Sequence, residues 1–194
     1  MATQTDAADI IEGEYVSDVT RMALFAALMG AFAFVSFPNP FSPAPVTLQV
    51  LGVFLAGILL GPVWGAGSMV LYLLAGAVGA PVFAGASAGL GVILGPTGGY
   101  LLSYPIAAAV VGLVVHRGID VRDYRAVGLP VLVGAMVVGT AIIYAMGVVG
   151  LMIAGGLGPV EAFMAGAAAF SPAEAFKIVA AIGIVRSDDL AVAT

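Results

Sequence analysis

Long apolar runs, separated by prolines, glycine clusters and charged residues, dominate this chain. They predict six helical membrane spans, at about residues 20–37, 46–60, 63–80, 96–116, 127–152 and 171–186. Only "LLGPVWG" (Leu59 to Gly65) separates the second run from the third, which predicts a tight hairpin. The pattern therefore predicts an all-α membrane protein, with an acidic tail over 1–19, a membrane domain over 20–186 and a short tail over 187–194.

Composition agrees with this pattern. Of the 194 residues, 62% are hydrophobic and 9% are charged, whereas soluble domains carry about 25% charged residues. The chain has no Cys, which excludes disulfides, a thiolate nucleophile and Cys-ligated metals. We find no cluster of His, Asp and Glu with the spacing of metal ligands, so we expect neither a metal nor a cofactor.

The distribution of charge predicts an orientation. Arg21, the segment "HRGIDVRDYR" and Arg186 all fall on one side of a six-span arrangement, and the loops at 38–45, 80–95 and 154–170 contain no Lys or Arg. By the positive-inside rule, both termini are expected in the cytoplasm. The net charge of −5 comes largely from the two ends and does not favour nucleic acid. The first run lacks a basic leader, so we expect it to remain as a helix.

Two charged residues interrupt the last apolar run, "SPAEAFKIVAAIGIV". Glu174 and Lys177 are three residues apart, so a helix places them on one face, in the outer half of the membrane. Ionisable groups inside a span are costly and by default indicate a functional site. The alternatives are a pair that only neutralises itself, or a lysine that reaches outward to the membrane surface.

Further polar groups are predicted at the same depth. "PVTLQ" opens the second span and "GPTGGYLLSYP" opens the fourth, and the outer loops are rich in Gly and Pro. Together these features predict a pocket for a small molecule with a polar head and an apolar body, covered by a lid. The alternative is that these loops are re-entrant or interfacial connectors without a ligand role. His116 is expected to be solvated at an inner helix end.

Other functions have less support in the sequence. No nucleophile is accompanied by a base, so we do not expect an enzyme and assign no catalytic residue. A secondary carrier remains an alternative, for which an inverted repeat and an ion-coupling site are expected. Ala23, Ala27 and Ala31 form a stripe of small residues in the first span. Spacing alone favours packing of this stripe inside the chain's own bundle.

Three segments resemble the BioY family, the biotin-binding S components of energy-coupling factor (ECF) transporters. They are "PVTLQVLGVFLAGILLGPVWGA", "GAPVFAGASAGLGVILGPTGGYL" and "PAEAFK". The resemblance implies a six-helix S-component fold in the plasma membrane, in contact with lipid, that captures biotin from outside. It also implies a transmembrane coupling subunit and two ATP-binding-cassette ATPases as partners, with the stripe Ala23, Ala27 and Ala31 as the docking surface.

The resemblance also implies site residues. Glu174 and Lys177 match the acidic residue and the lysine of the family's "PGDxxK"-like motif, although Ala173 replaces the glycine and Glu174 the aspartate. Glu174 is expected to accept from a ureido N–H of biotin and Lys177 to donate to the ureido carbonyl. In the competing pose, Lys177 meets the carboxylate of biotin. The expected ligand-binding residues are Thr47, Gln49, Phe83, Gly85, Ser87, Gly89, Tyr100, Glu174 and Lys177.

Overall fold

The computed structural model describes residues 4–187 and is mostly helical. Two short strands, β1 (Ser36–Phe37) and β2 (Val46–Thr47), pair in antiparallel fashion between the first two helices. Short 3-10 turns occupy Ala84–Ala86, Tyr124–Ala126 and Ala168–Phe170. The helices are α1 (Gln4–Phe34), α2 (Gln49–Ala77), α3 (Leu90–Ile93), α4 (Gly98–His116), α5 (Leu129–Ile153), α6 (Pro159–Gly166) and α7 (Ser171–Arg186).

Helix α1 begins earlier than the apolar pattern predicts. It starts at Gln4, so most of the acidic segment 1–19 is helical and continuous with the first span. Residues 1–3 and 188–194, which include most of the predicted C-terminal tail, lie outside the described range.

Helix α2 folds back on itself. Gly61 leaves the helical conformation, with φ of 78° and ψ of −178°, and Pro62 follows it. The Gln49 side-chain amide donates to the Tyr72 hydroxyl at 2.5 Å, although these residues would lie about 34 Å apart along a straight helix. The chain therefore reverses at Gly61 and forms two limbs, 49–60 and 62–77, as the short "LLGPVWG" connection predicts.

The number of separate long helices differs from the expected six. Within residues 4–187, five helical segments are long and apolar enough to cross a membrane: Tyr15–Phe34, Gln49–Ala77, Gly98–His116, Leu129–Ile153 and Pro159–Arg186. The second and third predicted spans correspond to the two limbs of α2, which count as one segment here because the turn at Gly61 is so tight. The chain is thus a multi-pass membrane protein.

Close helix contacts hold the bundle together. Helix α2 packs against α1 and α4, and α4 packs against α5. A Cβ atom at Gly57 would lie 2.6 Å from the Ala108 carbonyl oxygen, and one at Gly112 would lie 2.5 Å from the Pro62 nitrogen. Small residues at these points allow the backbones of α2 and α4 to approach closely, as is common between membrane helices.

One end of the bundle carries the arginine-rich connection between α4 and α5. There the Arg186 guanidinium donates to the carbonyl oxygens of Arg125 at 3.1 Å and Val127 at 2.6 Å, which joins the end of α7 to this connection. His116 lies at the same end. It is fully buried, so the expectation that it is solvated was wrong.

Candidate ligand-binding site

A cavity of about 500 Å³ opens at the end of the bundle opposite this arginine-rich connection. Volumes of this order are typical of small-molecule sites. Its walls come from the loop between the two strands, the loop after α2, and helices α4, α5 and α7. The expected ligand-binding residues that line it are Thr47, Gln49, Phe83, Gly85, Ser87, Tyr100, Glu174 and Lys177.

Gly89 is the exception, because it does not line the cavity. Its φ is 93°, a backbone conformation that favours glycine. Its N–H donates to the Gly76 carbonyl at 2.7 Å and so ties the start of α3 to the end of α2. Gly89 therefore has a structural role in this turn, and its assignment as a ligand-binding residue stays a prediction.

Glu174 and Lys177 form a buried ion pair on α7. Lys177 Nζ lies 2.5 Å from Glu174 Oε1, and each residue is only 4% exposed. Glu174 occupies the first turn of its helix, where the partial positive charge of the N-terminus stabilises a carboxylate. Its second oxygen, Oε2, is buried and has no hydrogen-bond partner within the part of the chain that the structure describes. The site therefore holds an acceptor that the protein itself leaves unused.

Thr47 and Gln49 belong to a hydrogen-bonded chain at the mouth of the α2 hairpin. The Thr47 hydroxyl donates to Gln49 Oε1 at 3.1 Å, the Gln49 amide donates to the Tyr72 hydroxyl, and this hydroxyl donates to the Val82 carbonyl at 3.2 Å. These hydrogen bonds join both limbs of α2 to the loop that follows α2. An amide has two donors and two lone pairs, so Gln49 keeps further bonding capacity towards the cavity.

The loop at 83–87 is anchored by Phe83, which is 1% exposed. Its ring meets that of Tyr72 edge-on, at 5.5 Å between centroids. A Cβ atom at Gly76 would lie 2.1 Å from the Phe83 ring, so the ring packs directly on the α2 backbone. The Ser87 hydroxyl donates to the Ala84 carbonyl at 2.8 Å, which leaves it only as an acceptor for a ligand.

An aromatic wall closes another side of the cavity. The ring centroid of Tyr100 lies 6.4 Å from that of Tyr144 and 6.3 Å from that of Phe170. The Tyr100 hydroxyl donates to the Gly166 carbonyl at 2.7 Å and so fixes the end of α6. Tyr100 therefore offers the cavity its ring more than its hydroxyl.

Sequence reasoning missed two members of this wall, Tyr144 and Phe170. Phe170 lies in the connection before α7, where nothing in the pattern distinguishes it from other apolar residues. Tyr144 lies within α5, and a hydroxyl-bearing residue in an otherwise apolar span was a signal that could have identified it. Both residues reach the cavity only because α5 packs against α4 and α7 packs against α2 and α5.

The small-residue stripe of α1 lies away from the cavity. Ala23, Ala27 and Ala31 are exposed, whereas their neighbours Ala26 and Gly30 are buried against the rest of the bundle. The preference for internal packing that spacing alone suggested was therefore wrong for these three alanines. Within residues 4–187 they form an uncovered face.

Comparisons with known proteins agree with this architecture. The family model described as "BioY family" matches residues 2–193. The biotin transporter BioY of Rhodobacter capsulatus is 40% identical over 171 residues, which are 84% of this chain and 87% of that protein. The probable biotin transporter BioY of Pyrococcus horikoshii is 49% identical over 96 residues, or 50% of this chain and 58% of that protein.

Structural similarity extends over most of the chain. A crystal structure of the S-component for biotin from an ECF-type ABC transporter superposes with a TM-score of 0.81 at 24% sequence identity. The superposition covers 90% of this chain and 91% of that one, so the two share a fold. Because the family model spans almost every residue, this chain is a member of the BioY family.

Proposed function

We propose that this protein is the biotin-capturing S component of an ECF-type importer in the plasma membrane. The observation that carries the proposal is the unused carboxylate oxygen of Glu174, held beside Lys177 in an outer cavity with aromatic walls. Biotin has a ureido ring that donates and accepts hydrogen bonds, attached to an apolar bicycle and chain. The ligand and the cavity are therefore complementary in both polar and apolar parts.

The charge of the ion pair favours one pose. Lys177 contacts Oε1, and Oε2, the second oxygen of this cavity-lining carboxylate, has no hydrogen-bond partner among the described residues. A ligand carboxylate at this point would be repelled, whereas a ureido N–H would be attracted. We therefore assign Glu174 Oε2 to accept from a ureido N–H, and Lys177 to donate to the ureido carbonyl.

We further propose six membrane crossings with both termini in the cytoplasm. Each limb of α2 would form one crossing, joined at the inner side by the turn at Gly61. Supporting observations are the arginine-rich connection at one end and the cation-free loops at the other. In this arrangement segments 1–19 and 187–194 flank the membrane domain 20–186 on the cytoplasmic side, and the cavity faces outward.

The proposed partners are a transmembrane coupling subunit and two ATP-binding-cassette ATPases, with lipid around the remaining surface. The uncovered face of Ala23, Ala27 and Ala31 supports docking of the coupling subunit, because small side chains allow another helix to approach closely. Biotin binding and docking would then use separate surfaces. Co-purification with an ATPase distinguishes this function from that of a stand-alone secondary carrier.

Calorimetric titration of the purified chain with biotin tests the function directly. Calorimetry is preferable to tryptophan fluorescence, because Trp64 lies beside Tyr15 near the α2 turn, away from the cavity. We expect saturable binding of one biotin per chain, with biotin methyl ester binding nearly as well. Absence of biotin binding by the folded protein would refute the function. If biotin binds and its methyl ester does not, Lys177 contacts the ligand carboxylate instead of the ureido carbonyl.

A further inference from the structure

Tyr144 carries a second polar atom in the cavity that the protein leaves unused. Its hydroxyl oxygen is buried and finds no hydrogen-bond partner among the described residues, as is also true of Glu174 Oε2. Both residues line the same cavity. An unsatisfied buried hydroxyl destabilises the fold, so Tyr144 calls for a partner that the protein alone does not supply.

The surroundings fix the position of this hydroxyl. The Tyr144 ring packs against two other aromatic rings, with centroid distances of 5.9 Å to Phe170 and 6.4 Å to Tyr100. The hydroxyl lies close enough to the Glu174 carboxylate to interact with it, although the geometry falls short of a formed hydrogen bond. An acceptor and a potential donor thus stand side by side at the edge of the ligand space.

A cyclic urea has the matching arrangement. Its ring holds each N–H on the same side as the carbonyl oxygen, so that one edge of the ring presents a donor beside an acceptor. Glu174 Oε2 accepts only, and the Tyr144 hydroxyl is able to donate. A pair of neighbouring hydrogen bonds to such an edge gives directional recognition that a single charged contact does not.

We propose that Tyr144 is a specificity-determining residue whose hydroxyl donates to the ureido oxygen, while Glu174 Oε2 accepts from the adjacent N–H. The inference rests on the proposed function, because it names which part of biotin each side chain meets. The ureido oxygen has two lone pairs, so it accepts from Lys177 and from Tyr144 together. A ligand that lacks the donor–acceptor edge would leave both buried groups unsatisfied.

The Tyr144→Phe variant tests this role, since it removes one oxygen and keeps the ring. We expect the dissociation constant for biotin to rise about tenfold, as for the loss of one buried hydrogen bond. Biotin methyl ester should lose affinity by the same factor, because its ureido ring is unchanged. Tyr124→Phe removes a hydroxyl outside the cavity and serves as the matched control.

Two outcomes would overturn the proposal. One is an unchanged biotin affinity in Tyr144→Phe, and the other is a loss confined to biotin and absent for the ester, which would assign the hydroxyl to the valerate end. Failure of the wild-type chain to bind biotin would instead refute the proposed function itself, so the two failures are distinguishable.

A spectroscopic measurement separates ligand contact from a general effect on packing. Biotin labelled with ¹³C at the ureido carbonyl gives an isolated infrared band whose frequency falls as the oxygen accepts hydrogen bonds. We expect this band at a higher frequency when biotin is bound to saturation by Tyr144→Phe than by wild type. An identical band in the two proteins would show that the hydroxyl does not touch this oxygen.

Discussion

His116 donates through Nε2 to the carbonyl oxygen of Ile58, at 3.0 Å. Ile58 lies four residues before Pro62, which has no N–H with which to close the normal helical hydrogen bond. The imidazole replaces that missing donor. Its Nδ1 accepts from the Arg122 backbone N–H at 3.0 Å, which identifies the neutral tautomer with the proton on Nε2. One buried ring thus joins the α2 turn, the end of α4 and the connection to α5.

The first prediction concerns this joint. Replacing His116 with Leu leaves the buried Ile58 carbonyl without a donor and the partly buried Arg122 N–H without an acceptor. The free energy of unfolding should fall by about 1 to 3 kcal/mol. Thermal unfolding in detergent measures the effect. His116→Gln retains a donor and an acceptor and should recover part of the loss. A Leu variant as stable as wild type would contradict the structural role.

The second prediction concerns the ion pair. Lys177→Met leaves the Glu174 charge buried without its partner and should destabilise the fold by about 3 to 5 kcal/mol. The double change Glu174→Gln with Lys177→Met removes both charges and should recover much of that stability. Its biotin affinity should nevertheless fall on the order of ten- to a hundredfold, since the charge-assisted contacts are lost. A folded double variant with wild-type affinity would refute the recognition role.

The third prediction concerns the packing of the aromatic wall. A Cβ atom at Gly147 would lie 2.2 Å from the Tyr100 ring. Gly147→Ala should therefore displace this ring, lower the unfolding temperature and weaken biotin binding. Gly134→Ala is the matched control on the same helix, because nothing lies within 4 Å of its added Cβ. If both variants retain wild-type biotin affinity, the position of Tyr100 does not matter to the site.

The fourth prediction concerns docking. Ala27 is exposed on α1 and lies away from the cavity. Ala27→Trp should leave biotin binding by the isolated chain intact while abolishing biotin uptake in cells, because the indole prevents close helix approach. Val137→Trp, at an exposed position on α5, is the control. Equal loss of binding and uptake in Ala27→Trp would indicate a folding defect and remove support for docking.

The fifth prediction concerns orientation. Because the chain has no Cys, single cysteines at Ser42 and Asp120 report the two sides of the membrane without background. In intact cells, an impermeant thiol reagent should label Ser42→Cys and spare Asp120→Cys. Permeabilised cells, in which the exposed Asp120→Cys should react, provide the control. The reverse pattern in intact cells would show that the orientation is wrong.

The membrane helices, the ion pair and the hairpin of this protein follow from its sequence. The apolar runs identify the membrane helices, because a bilayer demands long apolar segments with internally satisfied backbones. The pairing of Glu174 with Lys177 follows from helical geometry, since residues three apart share a face. The hairpin at Gly61 follows from the short connection between the second and third apolar runs, which leaves room only for a tight turn. All three depend on local properties that adjacent residues determine.

Tertiary packing decided the rest. Tyr144 joins the ligand cavity because α5 packs against both α4 and α7, and no local pattern encodes which helix faces meet. His116 is buried because the α2 turn offers it a carbonyl that Pro62 leaves without a donor. Gly89 serves a turn outside the cavity, although its neighbours Gly85 and Ser87 line it. In each case, a residue distant in sequence supplies the contact, so only the assembled bundle determines the role.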